Sequence, residues 1–312
     1  MRILVSRRDF LRHLLSAGVL ASISSAGLFK LESWADGEGP PVVWLEGAGC
    51  SGCLISLANY FDSASGDGFP ELLAKLDLKY APLFMTASGE PAISQLLDLL
   101  NSPSKHILLL VSGAIPSREG YCTVGSFESK EQEFKQILVG AARSALRVAG
   151  VGSCACYGGV LGSRAQEPRF APLDHYLPPS TSLTLLPGCP PHPDWIVTTL
   201  VGMIAGENIP LDRYKRPLSL FGKTVCSQCA RLPEKQAERF ARDPYDPELC
   251  LKTVGCRGEV SHCDTPARGW NGTDSWCVSR NTICVGCTEP FFPETPFVTT
   301  SQEGSTAWRR SG

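Results

Sequence analysis

Between residues 41 and 215 short apolar runs alternate with amphipathic stretches, and the alternation predicts strands and helices in turn. Pro41 to Leu45 reads as a buried strand. Leu54 to Phe61 and Pro70 to Leu76 read as helices, Leu78 to Phe84 as extended chain, and Ala92 to Leu100 as a helix. His106 to Val111 is the most continuous apolar run and predicts a central strand. Lys130 to Arg147 predicts one long amphipathic helix, with Phe134, Ile137, Leu138 and Ala141 on its apolar face. Val148 to Val151 and Leu183 to Leu186 predict further strands, and Asp194 to Ala205 a helix. Strands separated by helices imply an α/β fold, a doubly wound parallel sheet with right-handed crossovers. Such sheets bind ligands at the carboxyl ends of their strands.

The pattern changes after Asn208. Residues 209–312 hold no sustained period of either kind, with Pro, Gly and Asp scattered throughout. A segment of this kind cannot build a large apolar core, so it needs a staple. The reading is therefore a leader over residues 1–35, an α/β domain over 36–208 and an irregular domain over 209–312.

The leader is an address. Ser6-Arg7-Arg8-Asp9-Phe10-Leu11-Arg12 is a twin-arginine signature, a mildly apolar run follows from Leu14 to Phe29, and Ser33-Trp34-Ala35 offers small residues for cleavage after Ala35. The run is broken by Ser and Gly and flanked by His13 and Lys30, which disfavours a membrane span. The polar stretch from Ser301 to Gly312 offers no stop-transfer segment. Twin-arginine export suits a protein that folds before crossing the membrane. Folding would then occur in the reducing cytoplasm, where thiolates are free to bind metal.

Composition narrows the classes. With 312 residues, 43% hydrophobic and 19% charged, the chain is globular rather than disordered. Its 29 Lys and Arg against 31 Asp and Glu give a net charge of -2, which offers no reason to expect nucleic acid as a partner. Its 14 cysteines are many for this length.

Twelve of those cysteines fall into three sets of four. Cys50 and Cys53 follow the first strand, Cys154 the strand near Val151, and Cys189 the strand near Leu185, so all four should converge on one edge of the sheet. The second set is Cys226, Cys229, Cys250 and Cys256. The third is Cys263, Cys277, Cys284 and Cys287. Each 4Fe–4S cluster takes four thiolates, usually including one C-x-x-C pair. Three sets match three clusters. Structural zinc also uses C-x-x-C pairs, and disulfides remain open for an exported chain. Cys122 and Cys156 stand outside the sets and read as small, buried residues.

A second motif competes at the same place. Gly47-Ala48-Gly49-Cys50-Ser51-Gly52 is a literal G-x-G-x-x-G between a strand and a helix, with Asp67 at about the distance of a ribose-binding acid. Cys50 lies inside it and Cys53 beside it, which favours a thiolate site over a dinucleotide site.

Taken in order, the motifs resemble a known family. They are the twin-arginine leader; Val42-Val43-Trp44-Leu45 running into Cys50-x-x-Cys53; Tyr80-x-Pro82-x-x-Met85; Gly113-Ala114-Ile115-Pro116; Gly152-Ser153-Cys154-Ala155; Pro187-Gly188-Cys189-Pro190-Pro191; Phe221-Gly222-Lys223-Thr224-Val225; Gly255-Cys256-Arg257-Gly258; and Cys284-Val285-Gly286-Cys287-x-Glu289-Pro290. Over essentially its whole length the chain resembles the small subunit of nickel–iron hydrogenases. The resemblance implies a flavodoxin-like domain holding a proximal 4Fe–4S cluster through Cys50, Cys53, Cys154 and Cys189. It implies a distal 4Fe–4S cluster on Cys226, Cys229, Cys250 and Cys256, and a medial 4Fe–4S cluster on Cys263, Cys277, Cys284 and Cys287. The nickel–iron centre would lie in a separate large subunit. This chain would pass electrons to a cytochrome acceptor or a membrane cytochrome on the periplasmic side.

Departures from the family pattern carry expectations of their own. Most relatives place histidine where this chain has Cys226, and many place proline where it has Cys277. Thiolates at both positions add negative charge, which lowers cluster potential, and Cys277 completes a fourth ligand at the medial site. Gly52 and Gly159 stand where oxygen-tolerant relatives carry extra cysteines. Gly49 and Ser112 stand where many relatives carry acids, and Glu46 is a nearby alternative to the first. Of His13, His106, His175, His192 and His262, none is read as a ligand, though His262 neighbours Cys263. Two other classes stay in view. One is an exported module stapled by structural zinc or disulfides. The other is the iron–sulfur subunit of a quinone-reducing complex, against which the eight cysteines of residues 226–287 argue.

Overall fold

The computed structural model describes residues 39–62, 66, 68–101, 106–162 and 170–292. The expected leader, Asp67 and the tail from Ser301 lie outside the described residues. In chain order the α/β half comprises β1 (Val42–Glu46), α1 (Gly52–Ala58), α2 (Phe69–Lys75), β2 (Leu78–Tyr80), α3 (Glu90–Leu100), β3 (Ile107–Ser112), β4 (Ile115–Pro116), β5 (Thr123–Phe127), β6 (Lys130–Glu133), α4 (Phe134–Ser144), β7 (Ala145–Val151), α5 (Ser153–Tyr157), α6 (Gly159–Gly162), β8 (Phe170–Ala171), β9 (Leu183–Leu186) and α7 (Pro193–Ala205).

Five of these strands form a parallel sheet in the order β2-β1-β3-β7-β9. Counted within the sheet alone, that is the 2-1-3-4-5 order of flavodoxin-like folds, whose switch point lies between the first and third strands. Side chains alternate between the two faces, as a two-residue period requires. Val42 and Trp44 of β1 pack with Leu54 and Leu57 of α1 and with Ile196 and Leu200 of α7. Val43 and Leu45 pack on the other face with Leu96 of α3 and Phe134, Leu138 and Ala141 of α4.

The stretch from Lys130 to Arg147 is not one helix. Lys130 to Glu133 pair with β5 as an antiparallel hairpin, Glu133 has an extended backbone (φ -61°, ψ 127°), and Ala145 ends the helix in the same way (φ -83°, ψ 131°). Arg147 then pairs with Leu108 in the central sheet. The cause is tertiary: cross-strand partners take both ends from a helix whose apolar spacing runs through them. Likewise the extended run from Leu78 stops at Tyr80, because the N–H groups of Phe84 and Met85 turn back to the Ala81 carbonyl at 3.0 and 3.2 Å.

Beyond residue 208 the chain is short turns of helix, among them α8 (Leu218–Phe221) and α9 (Leu232–Gln236). Its core holds Phe221, Val225, Leu251, Val254, Trp276, Val278 and Ile283 together with Cys263 and Cys284, and Leu186 and Trp195 of the α/β half join it. Among the described residues no helix is long and apolar enough to cross a membrane.

Candidate metal centres

The carboxyl ends of β1, β7 and β9 deliver the first set. Cys53 lies in the first turn of α1, Cys154 in α5, and Cys189 after β9, while Cys50 and Cys189 are exposed at the rim. Burial raises the proton affinity of the Cys53 thiol, and the facing Cys154, Cys50 and Cys189 raise it further. Cys154 is raised by burial, then by Cys189 and Cys50. Two glycines let the backbone approach these sulfurs. A Cβ on Gly152 (φ +89°) would come within 2.4 Å of Cys53 Sγ, and one on Gly159 (φ +55°) within 2.6 Å of Cys154 Sγ.

The second set lines one pocket, bordered by Cys226, Cys229, Cys250 and Cys256. Burial pushes Cys229, Cys250 and Cys256 up, and their mutual proximity adds to it. Backbone N–H groups act the other way. Arg231 N–H donates to Cys229 Sγ at 3.3 Å, and the Lys252 and Gly258 N–H groups face Cys250 and Cys256.

The third set is the most enclosed. Cys263 is pushed up to about 11, chiefly by burial, although its sulfur lies 3.1 Å from Thr265 Oγ1. Cys287 is raised by burial and then by Cys263 and Cys277, and Cys284 by burial, Cys256 and Cys287.

These sets meet end to end. The Cys189 N–H faces the Cys287 sulfur, which joins the first set to the third. The Cys284 N–H faces the Cys256 sulfur, which joins the third to the second. Within each set neighbouring thiols oppose ionisation, as at Cys53, Cys229 and Cys287, a donor array that gives up its protons to a strong local positive charge. Four irons shared among four ligands supply such charge. Among the described residues no three His, Cys, Asp or Glu side chains close on a single ion.

Other expected features take different places. In the Gly47–Gly52 loop the N–H groups of Gly47 and Ala48 already bond the carbonyls of Ser112 and Ala114, at 2.8 and 3.0 Å, so they do not cradle a phosphate. Buried Ser112 accepts from Trp44 Nε1 at 2.9 Å, and Glu46 lies opposite it in register. Cys156 is buried with its thiol toward the Gly150 carbonyl, and Cys122 is half-buried. His262 turns its ring to Glu289, with Nδ1 3.1 Å from Oε1.

Sequence reasoning missed a buried ionic knot. Arg216, 2% exposed, donates through Nε to Asp212 at 2.7 Å and through Nη1 to both Glu289 Oε1 and the Thr288 carbonyl at 2.9 Å. It fastens the chain beside Cys287 to the turn before α8. Only Glu289, inside the motif that runs from Cys284 to Pro290, gave any sign of it.

Two family models match separate stretches of the chain. Residues 221–298 match the C-terminal family model of the NiFe/NiFeSe hydrogenase small subunit, and residues 50–203 match the model of the NADH ubiquinone oxidoreductase 20 kDa subunit. The periplasmic NiFeSe hydrogenase small subunit of Desulfomicrobium baculatum is 34% identical, over 93% of this chain and 96% of its own. The periplasmic NiFe hydrogenase small subunit of Solidesulfovibrio fructosivorans is 29% identical, over 93% and 91%. A solved structure of the Dm. baculatum NiFeSe hydrogenase superposes with a TM-score of 0.77 at 30% identity, over 84% of this chain and 99% of that one.

Proposed function

Because the chain belongs to the family of nickel–iron hydrogenase small subunits, we propose that it relays electrons through three 4Fe–4S clusters, between the hydrogen-activating site of its large subunit and an external redox partner. As a small subunit it is one half of a heterodimeric hydrogenase. The proximal ligands are Cys50, Cys53, Cys154 and Cys189, carried by residues 36–208. The medial ligands are Cys263, Cys277, Cys284 and Cys287, and the distal ligands Cys226, Cys229, Cys250 and Cys256, carried by residues 209–312. The site of work is the periplasm, reached by the twin-arginine route, and the electron acceptor is a c-type or membrane cytochrome. The relatives from Desulfomicrobium baculatum and Solidesulfovibrio fructosivorans are both periplasmic.

One observation supports the relay above the rest: the three thiol sets touch in series, through Cys189 on Cys287 and Cys284 on Cys256. When bound, each cluster supplies a one-electron carrier. The protein supplies what surrounds it. Burial of Cys263, Cys284 and Cys287 excludes water from the middle of the series. N–H groups from Arg231, Lys252 and Gly258 face the distal sulfurs, where they favour added electrons. The exposed rim at Cys50 and Cys189 is the face turned to the large subunit.

The test is elemental analysis of the complex purified anaerobically from its own host. Three clusters require about 12 iron and 12 acid-labile sulfide in this chain, beside about one iron and one nickel in the large subunit. About 12 iron per nickel in the whole complex with undiminished sulfide, one short of the full count, would signal a three-iron medial cluster and remove Cys277 from the ligands. Zinc, or oxidised thiols without metal, would overturn the relay.

A further inference from the structure

We propose that the Lys235 ammonium is the counter-charge of Cys226 at the distal site and raises the reduction potential there. The inference rests on the ligand assignment just given.

Cys226 is held by its own N–H, which donates to the Gly258 carbonyl at 2.8 Å. The next residue, Glu259, stands at the mouth of the pocket that the four cysteines line. Its Oε1 lies 2.5 Å from Lys235 Nζ, and its Oε2 lies 3.2 Å from Lys252 Nζ. Lys235 lines the same pocket as Cys226, and Glu259 and then the Cys226 sulfur strengthen its hold on its proton. The lysine projects from α9, which begins three residues after Cys229, so the loop bearing one ligand also carries the cation facing another.

Other charges around the pocket are differently engaged. The Arg231 guanidinium is spent on the carbonyls of Asp246, Leu249 and Val278 and on Asn281 Oδ1. Lys252 shares Glu259 with Lys235 but stands further into solvent, 44% exposed against 26% for Lys235. Lys235 is therefore the cation placed on Cys226. A positive charge against a ligand sulfur stabilises the reduced, more negative cluster and raises its potential. It offsets the electron-rich character of a fourth thiolate. Being partly exposed, it is screened by salt.

The experiment is an anaerobic redox titration of the purified complex, followed by electron paramagnetic resonance, on wild type and three single variants. Lys235→Gln is expected to move one of three cluster potentials downward and leave the others in place. Glu259→Gln removes the neighbouring negative charge and is expected to move the same potential upward. Lys235→Arg keeps the charge and should restore the wild-type value, and added salt should shrink the Lys235→Gln shift. Unmoved potentials in both neutralising variants, with about 12 iron retained in this chain beside the large subunit's own, would overturn the counter-charge. Wild type with only about eight iron in this chain would overturn the distal assignment itself, and the inference with it.

Discussion

The hydroxyl of Ser153 donates to the carbonyl oxygen of Cys287, 134 residues further along the chain, and accepts from the Gly188 N–H at 3.0 Å. One side chain thereby joins the turn after β7, the turn after β9 and the irregular half. These are the turns that carry Cys154 and Cys189. Ser153→Ala leaves the Gly188 N–H and the Cys287 carbonyl without this partner, at a cost of about 1–3 kcal/mol. The expected outcome is a thermal midpoint several degrees lower, measured by calorimetry on the intact complex. An unchanged midpoint would show that the clamp does not contribute.

Gly152 tests the fit of the first thiol set. At φ +89° an alanine is strained, and its Cβ would stand 2.4 Å from Cys53 Sγ. Gly152→Ala is expected to lose about four iron and four sulfide from the complex, one cluster's worth. Gly140→Ala is the control, since a Cβ there meets only Leu100 Cδ1, at 4.0 Å. Full iron in Gly152→Ala would place no cluster against Cys53.

Arg216 sits between Asp212 and Glu289, with the three side chains 2%, 14% and 4% exposed. Arg216→Met removes the cation between buried Glu289 and half-buried Asp212. Removing one partner of a buried ion pair costs about 3–5 kcal/mol. The expected readout is a sharp fall in the guanidinium concentration that releases iron, with Arg216→Lys intermediate because lysine cannot make the forked contact.

His192 caps α7. Its Nδ1 accepts the Asp194 N–H at 3.1 Å and its Nε2 bonds the Gly269 carbonyl at 2.9 Å, the pattern of a neutral ring. Burial lowers its proton affinity below the ordinary value of 6.5, outweighing Asp194. The unfolded chain then binds a proton that the folded one refuses, so stability falls as pH drops below about 6.5. The slope is at most about 1.4 kcal/mol per pH unit. His192→Asn keeps a capping oxygen and should flatten the melting temperature between pH 6.5 and 5 relative to wild type. Parallel profiles would show that the ring is protonated in the fold.

Much of the α/β half was legible in the sequence. The apolar runs at Val42, Ile107, Val148 and Leu183 are strands of the central sheet, and the stripe from Phe134 to Ala141 is buried against it. Lys130 to Glu133 misled because hairpin pairing with β5 depends on a partner strand, which the local period does not record. Cysteine spacing grouped the thiols into three sets of four. It carried no order in space: Cys256 and Cys284 belong to different sets yet are neighbours.

The central strands and the main helix faces are written locally, since buried elements set their period into consecutive residues. The thiols beside glycines and prolines are a local pattern too. Packing alone brings Ser153 to Cys287, buries Arg216 between two acids and sets Lys235 in one pocket with Cys226. Such contacts join residues separated by loops whose path follows from packing, so no periodicity along the chain encodes them.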